Sequence, residues 1–138
     1  MNHWLVKQEP EDYAFAQFAK DGRTDWTGVR NYQARNFLRA MAVGDAVLYY
    51  HSGEEKAVVG TATVSRAAFS DPTAGLDEAK GQWVAVELRA GEAFPRAVGL
   101  AEIKADAALQ DLLLVTHSRL SVMAVTPAQY NQIVRLAS

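Results

Sequence analysis

The spacing of apolar and polar positions along this chain changes several times, and each change marks an element. His3–Glu9 carries Trp4, Leu5 and Val6 and stops at Pro10, which predicts a strand. Glu11, Asp12 and Tyr13 then open a short helix with Phe15, Phe18 and Ala19 on one face, ended by Asp21-Gly22. Between Asn31 and Ala42, Ala34, Phe37, Leu38 and Met41 recur at helical spacing, and Val43-Gly44-Asp45 closes the run. Arg35 and Arg39, four apart, share a different face of that helix. Ala46–His51 reads as a strand and the β-branched run Lys56–Phe69 as another, paired antiparallel across the turn Ser52–Glu55. Residues 70–81, rich in Pro, Gly and acids, are long enough for a lid or binding loop. Gln82–Arg89 alternates as a half-buried strand, and Ala90-Gly91-Glu92 turns into a further strand at Phe94–Gly99. Asp106–Leu114 is a short helix capped by Asp106, and Leu120–Val125 is a sixth strand. Thr126, Pro127 and Gln129 spell a capping box before a helix with Tyr130, Ile133, Val134 and Ala137 as its buried stripe. About six strands and three or four short helices, without repeats or a linker, predict one α+β domain over residues 1–138. Its sheet is mixed or antiparallel and barrel-like.

Length and composition agree. The 138 residues are 49% hydrophobic and 22% charged, a globular balance that can bury a core without staples. There is no cysteine, which excludes disulfides, a thiol nucleophile and Cys-ligated metals. The first residues carry only three apolar positions in a row and no run of 18 exists elsewhere, so a soluble, cytoplasmic monomer with no membrane partner is expected. The net charge of −2 creates no global pull toward nucleic acid. Its placement is uneven: Trp26–Gly44 holds Arg30, Arg35 and Arg39 and no acid, whereas Asp71–Asp111 holds eight acids against four bases.

Most catalytic signatures are missing, including the nucleophile elbow, the phosphate-binding glycine loops and the H-E-x-x-H zinc motif. His3, His51 and His117 have no metal-ligand spacing, so neither metal nor cofactor is expected. What remains is Trp26–Asn36, where an aromatic, a glycine and polar side chains run into a helix N-terminus. The unpaired amides and positive dipole there hold phosphate or a polar ring edge, and Gly28 lets the backbone approach a ligand. With the arginines, the group suits a planar heteroaromatic ring attached to a phosphate. Trp26 is also readable as core and Asn31 as a simple N-cap.

These residues also carry a resemblance. Trp4-Leu5-Val6-Lys7-Gln8-Glu9-Pro10, the block GVRNYQARN at 28–36 with Trp26 and Thr27 before it, Gly44-Asp45 with Leu48–Ser52, Val59-Gly60 and Arg119-Leu120-Ser121-Val122 resemble the EVE domain family. The likeness runs through essentially the whole chain in the family's order. It implies a PUA-like pseudo-barrel flanked by short helices, related to the YTH fold, with a pocket for a modified base of DNA or RNA. Gln8 stands where the family often has Ser, and Thr27 where Asp is usual. Ala14, Ala124 and Tyr130 replace a frequent Ser, Pro and Trp.

A reader of modified bases must extrude its target from the stack and recover that cost in a snug pocket. On this reading Trp26 is a stacking wall, with Val29, Asn31 and Tyr32 as further wall and edge, and Tyr50, His51 and Ser52 form the opposite rim. Lys7 and Arg30 meet phosphate at the pocket, while Arg35 and Arg39 follow the backbone. Phe69 is a further aromatic wall and Ser121 a polar contact. Trp26, Asn31, Tyr50 and His51 are expected to converge on one cavity. The expected function is non-catalytic nucleic-acid binding with modified-base recognition. Two alternatives stand beside it: a nucleoside- or nucleotide-processing enzyme using His51 or Tyr50, with Glu9 as its carboxylate, or a pocket for a free heteroaromatic metabolite.

Overall fold

The computed structural model describes residues 1–75 and 82–138. Its strands are β1 (His3–Gln8), β2 (Arg23–Trp26), β3 (Ala46–His51), β4 (Ala57–Ser70), β5 (Val84–Gly99) and β6 (Val122–Val125). They form one sheet in the order β2-β5-β4-β3-β1-β6, with β1 parallel to β3 and every other pair antiparallel. The expected six-stranded mixed sheet is therefore present, but it is not closed into a barrel. β2 and β6 are its edges, and no ladder joins them among the described residues. The helices are α1 (Pro10–Tyr13), α2 (Phe15–Asp21), α3 (Tyr32–Ala40), α4 (Leu100–Ala105), α5 (Leu113–Thr116) and α6 (Pro127–Leu136).

The six strands are not the six that periodicity predicts. The two strands expected at 82–89 and 94–99 are one long β5, because Ala90-Gly91-Glu92 stays in the ladder instead of turning. The register shifts there against β4, and a Cβ on Gly91 would lie 2.7 Å from the carbonyl oxygen of Thr61, so only glycine permits the approach. The place in the count is taken by β2, whose sequence Arg-Thr-Asp-Trp has no apolar run to announce it. This edge strand is held by its pairing to β5, with Trp26 opposite Val86.

Two helices also divide. The run after Pro10 breaks at Ala14, between α1 and α2. Asp106 does cap, accepting from the Ala108 amide at 2.8 Å, but it caps a 3₁₀ turn at Ala107–Leu109 that is separate from α5. In α6 both halves of the capping box form. Ile133 and Ala137 are buried as expected, whereas Val134 is 38% exposed and lies off the buried stripe. The loop expected over 70–81 falls partly outside the described residues.

The core gathers around Tyr49, which is fully buried on β3. Phe18 stacks on its ring at 5.4 Å, while Phe15 and Trp26 meet it edge-on at 5.3 and 5.5 Å. Its hydroxyl donates to the carbonyl of Tyr13, a backbone group freed by the break at Ala14. Immediately before β3, Asp45 is buried and accepts from Trp4 Nε1, the Ala42 amide and the Asn2 amide at 2.9–3.0 Å. Those bonds outweigh the desolvation that would raise its pKa and leave it below the usual carboxylate value. They tie β1 to the turn that follows α3. That helix packs across β4, β5 and β6.

Gly60, in the quoted Val59-Gly60 pair, is explained by this packing, since a Cβ there would be driven into the Phe15 ring. Gly60→Ala should lower unfolding free energy by about 1–3 kcal/mol in urea titrations. Adding Phe15→Leu should cost less than the sum of the two single changes. Wild-type stability in Gly60→Ala would show that the ring moves aside freely.

Candidate functional site

The segment between β2 and α3, residues 27–31, starts at a cavity that it shares with Gln8 at the end of β1. Two small cavities open beside it. The first, about 260 Å³, is lined by Gln8, Asp12, Tyr13, Thr24, Asp25, Trp26 and Thr27. The second, about 290 Å³, is lined by Asn31, Gln33, His117, Ser118, Arg119 and Leu120. Lys7 Nζ donates to the Ser118 carbonyl at 2.9 Å, which brings its ammonium to the wall of the second cavity. Burial lowers the pKa of this half-buried lysine.

One carboxylate sets the shape of the 27–31 segment. Asp71 is buried, and its Oδ2 accepts from the Gly28 amide at 2.8 Å and from Arg30 Nη1 at 2.9 Å. Its Oδ1 accepts from both the amide and the hydroxyl of Thr73 at 2.7 Å. Burial alone would raise the pKa of Asp71, but the bonds from Thr73, Gly28 and Arg30 more than offset it and hold the value at about 2. Gly28 takes a φ of +83°, the left-handed conformation that lets its N–H turn toward this carboxylate.

The site residues expected from sequence are distributed among several surroundings. Trp26 and Asn31 line separate cavities, and Tyr50 and His51 line neither. Trp26 is 6% exposed and belongs to the aromatic core through Tyr49 while bordering the first cavity. Asn31 is the N-cap of α3, its Oδ1 accepting from the Ala34 amide at 2.9 Å, and it borders the second cavity as well. Val29 is buried in the core. Tyr50 is buried under Lys7, whose ammonium lies 5.8 Å from the ring centroid, and burial raises its pKa.

His51 has a structural task in the fold. Its Nε2 accepts from the Phe15 amide at 3.0 Å, which assigns the proton to Nδ1, and Nδ1 donates to Glu55 Oε1 at 3.0 Å. It thereby supplies the acceptor that Ala14, standing at the cap of α2, lacks. Ser52 donates its amide to the Gln8 carbonyl, and the carbonyl of Ser121 accepts from the Lys7 amide. Phe69 lies at the far end of β4 with the Arg66 guanidinium 3.9 Å from its ring centroid. Arg30 is an internal clasp on Asp71, and Arg35 and Arg39 turn toward the start of β5. Arg39 Nη2 donates to the backbone and side-chain oxygens of Gln82, and Arg35 lies beside the rings of Tyr32 and Trp83. The residues that sequence reading passes over are Asp71 and Trp83. The visible signal for Asp71 is the turn pattern Asp-Pro-Thr, but its partners are 41 and 43 positions away.

The EVE domain family model matches residues 2–136. The chain belongs to the EVE domain family. Human thymocyte nuclear protein 1 is 30% identical over 165 residues, an alignment that takes in 98% of this chain and 73% of that protein. A crystal structure from Agrobacterium tumefaciens superposes with a TM-score of 0.93 at 39% identity, covering all of this chain and 94% of the other. The human THYN1 structure, in complex with DNA containing 5-methylcytosine, superposes at a TM-score of 0.90 with 28% identity, covering 100% of this EVE domain and 98% of that chain. Among the described residues, no helix is long and apolar enough to cross a membrane.

Asp71→Asn should loosen the 27–31 segment and reduce stability by about 2 kcal/mol at neutral pH. Because the folded pKa is depressed, this contribution is complete above the unfolded value near 3.8 and is lost as pH falls through about 2. Urea unfolding at stepped pH should show wild type and variant differing constantly from pH 7 to 5 and converging below pH 4. A gap undiminished at pH 2 would assign the loss to shape instead of charge.

Proposed function

We propose that this EVE domain is a non-catalytic module that reads a modified base in nucleic acid. The base enters the Trp26 cavity, and the neighbouring phosphate lies at the edge formed by Lys7, Arg119 and the N-terminus of α3. The observation that carries the assignment is that Gln8 and Thr27, where this chain departs from the family pattern, both line the Trp26 cavity. Specificity is therefore expected to vary at this cavity. Its chemistry suits a cytosine: the carboxylates of Asp12 and Asp25 accept from an exocyclic amine, and Trp26 offers apolar surface to a methyl group. An unmatched polar group in such a pocket costs about 1–3 kcal/mol, enough to reject a wrong base. The human relative crystallised with 5-methylcytosine DNA makes that modification the first to test.

A catalytic reading has less support. His51 is buried with both ring nitrogens engaged, so it has no free nitrogen for a substrate proton. Asn31, Arg119 and Lys7 supply the phosphate edge, whereas Arg30 acts through Asp71 by holding the segment. The proposal includes action as a monomer in the cytoplasm, and RNA is the second strand chemistry to offer.

Fluorescence anisotropy with a duplex carrying one 5-methylcytosine, against the same unmodified duplex, should show tighter binding to the modified strand. Thr27→Asp should change that ratio. Lys7→Ala should weaken both duplexes alike and flatten the slope of log K against log salt by about 1. Equal affinity across a panel of modified and unmodified bases in DNA and RNA would sink the proposal, and a slope near zero would favour a free-metabolite pocket.

A further inference from the structure

We propose that the outer face of Tyr32 is a stacking platform for an unpaired nucleobase, distinct from the Trp26 cavity. Tyr32 is 61% exposed and is the one exposed Phe, Tyr or Trp ring among the described residues. It does not border the cavity lined by its neighbours Asn31 and Gln33. Instead its ring stacks on Trp83, with centroids 5.0 Å apart and planes 29° from parallel. The Arg35 guanidinium carbon is 4.9 Å from the Tyr32 centroid and 5.8 Å from that of Trp83. These three separations describe a nearly equilateral triangle, so the guanidinium sits beside the stacked pair and not over the face of Tyr32 turned away from Trp83. One ring face is thus backed by a second aromatic ring while the other faces solvent.

The support is firm. Trp83 immediately precedes β5, and Arg30, anchored on Asp71, lies 5.7 Å from its ring. Tyr32 opens α3, and Arg35 follows it by three positions on the same helix face. Arg39 extends this edge along the same helix, and its contacts among the described residues are with the neutral oxygens of Gln82. A planar π face bordered by guanidinium groups fits a base with its phosphates, since every base has a face to stack and a backbone to neutralise. This inference rests on the nucleic-acid reading above and extends it: extruding a base leaves neighbouring bases without their stack, and an external platform holds one of them.

The test uses the full chain and a fluorescein-labelled, unmodified oligothymidylate of about ten nucleotides, beside the modified and unmodified duplexes. Tyr32→Ala should weaken oligothymidylate binding by about 5- to 150-fold while leaving the ratio between modified and unmodified duplex unchanged. Tyr32→Trp should retain binding, and both variants should still unfold cooperatively, with Tyr32→Ala melting only a few degrees below wild type because the ring gives up one stacking contact outside the core. If Tyr32→Ala binds oligothymidylate as wild type does, or wild type does not bind it, the platform is overturned. A wild-type dimer in sedimentation that Tyr32→Ala dissolves would also overturn it, assigning the face to a second copy of the chain. Loss of modified-base preference with Tyr32-dependent oligothymidylate binding intact would overturn the base-reader proposal and leave the platform standing.

Discussion

The burial of one tyrosine governs how this domain is put together. Tyr49 sits at the middle of the sheet, and its ring is where α2, β2 and β3 meet, through Phe15, Phe18 and Trp26. Aromatic rings of this size carry large apolar area and prefer defined edge and stacked geometries, so the cluster fixes orientation as well as distance. The same side chain and its neighbour His51 satisfy the backbone at the break between α1 and α2: the Tyr49 hydroxyl donates to Tyr13 and His51 accepts from Phe15. A buried amide or carbonyl without a partner is costly, and the sharp change of direction at Ala14 persists because β3 supplies both partners. The edge strand that ends in Trp26 reaches the same cluster, where Trp26 meets the Tyr49 ring edge-on.

A second constraint acts on the segment that leaves Trp26. Asp71 carries a full negative charge inside the protein, and its cost is met by hydrogen bonds from Gly28, Arg30 and Thr73. The consequence for the candidate site is a division of labour among basic residues. Arg30 holds the loop in shape, while Lys7 and Arg119 border the cavity at the α3 N-terminus. A chain with a net charge of −2 has no long-range field to gather polyanions. The local cations Lys7 and Arg119 lie at the second cavity, and Arg30 and Arg35 lie beside the Tyr32–Trp83 pair.

Local pattern was a good guide wherever an element's own side chains determine it. The helical spacing of Ala34, Phe37, Leu38 and Met41, the Asn31 cap and the capping box at Thr126 are all set by neighbours within about four residues. Such signals are written in sequence spacing because the groups that satisfy them are close along the chain. The family likeness of the Trp26–Asn36 block was legible for the same reason, being a contiguous string.

Long-range pairing decided the rest. β2 has almost no apolar signal and exists because β5 offers it a ladder, and β5 runs through Ala90-Gly91-Glu92 because Gly91 can approach Thr61. The roles of individual side chains diverged in the same way. His51 reads from sequence as a polar strand end lining a pocket, yet its nitrogens are taken by Phe15, 36 positions away, and by Glu55. Tyr32 reads as a pocket wall, yet it turns to Trp83, which only the packing of α3 against β5 brings within stacking distance. The sequence by itself determined the fold class, the family and the locally capped helices α3 and α6. Tertiary structure alone decided which polar atoms are spent on holding the fold and which are left at the cavity walls, because a polar group's partner is chosen by proximity in space, and spacing along the chain does not encode it.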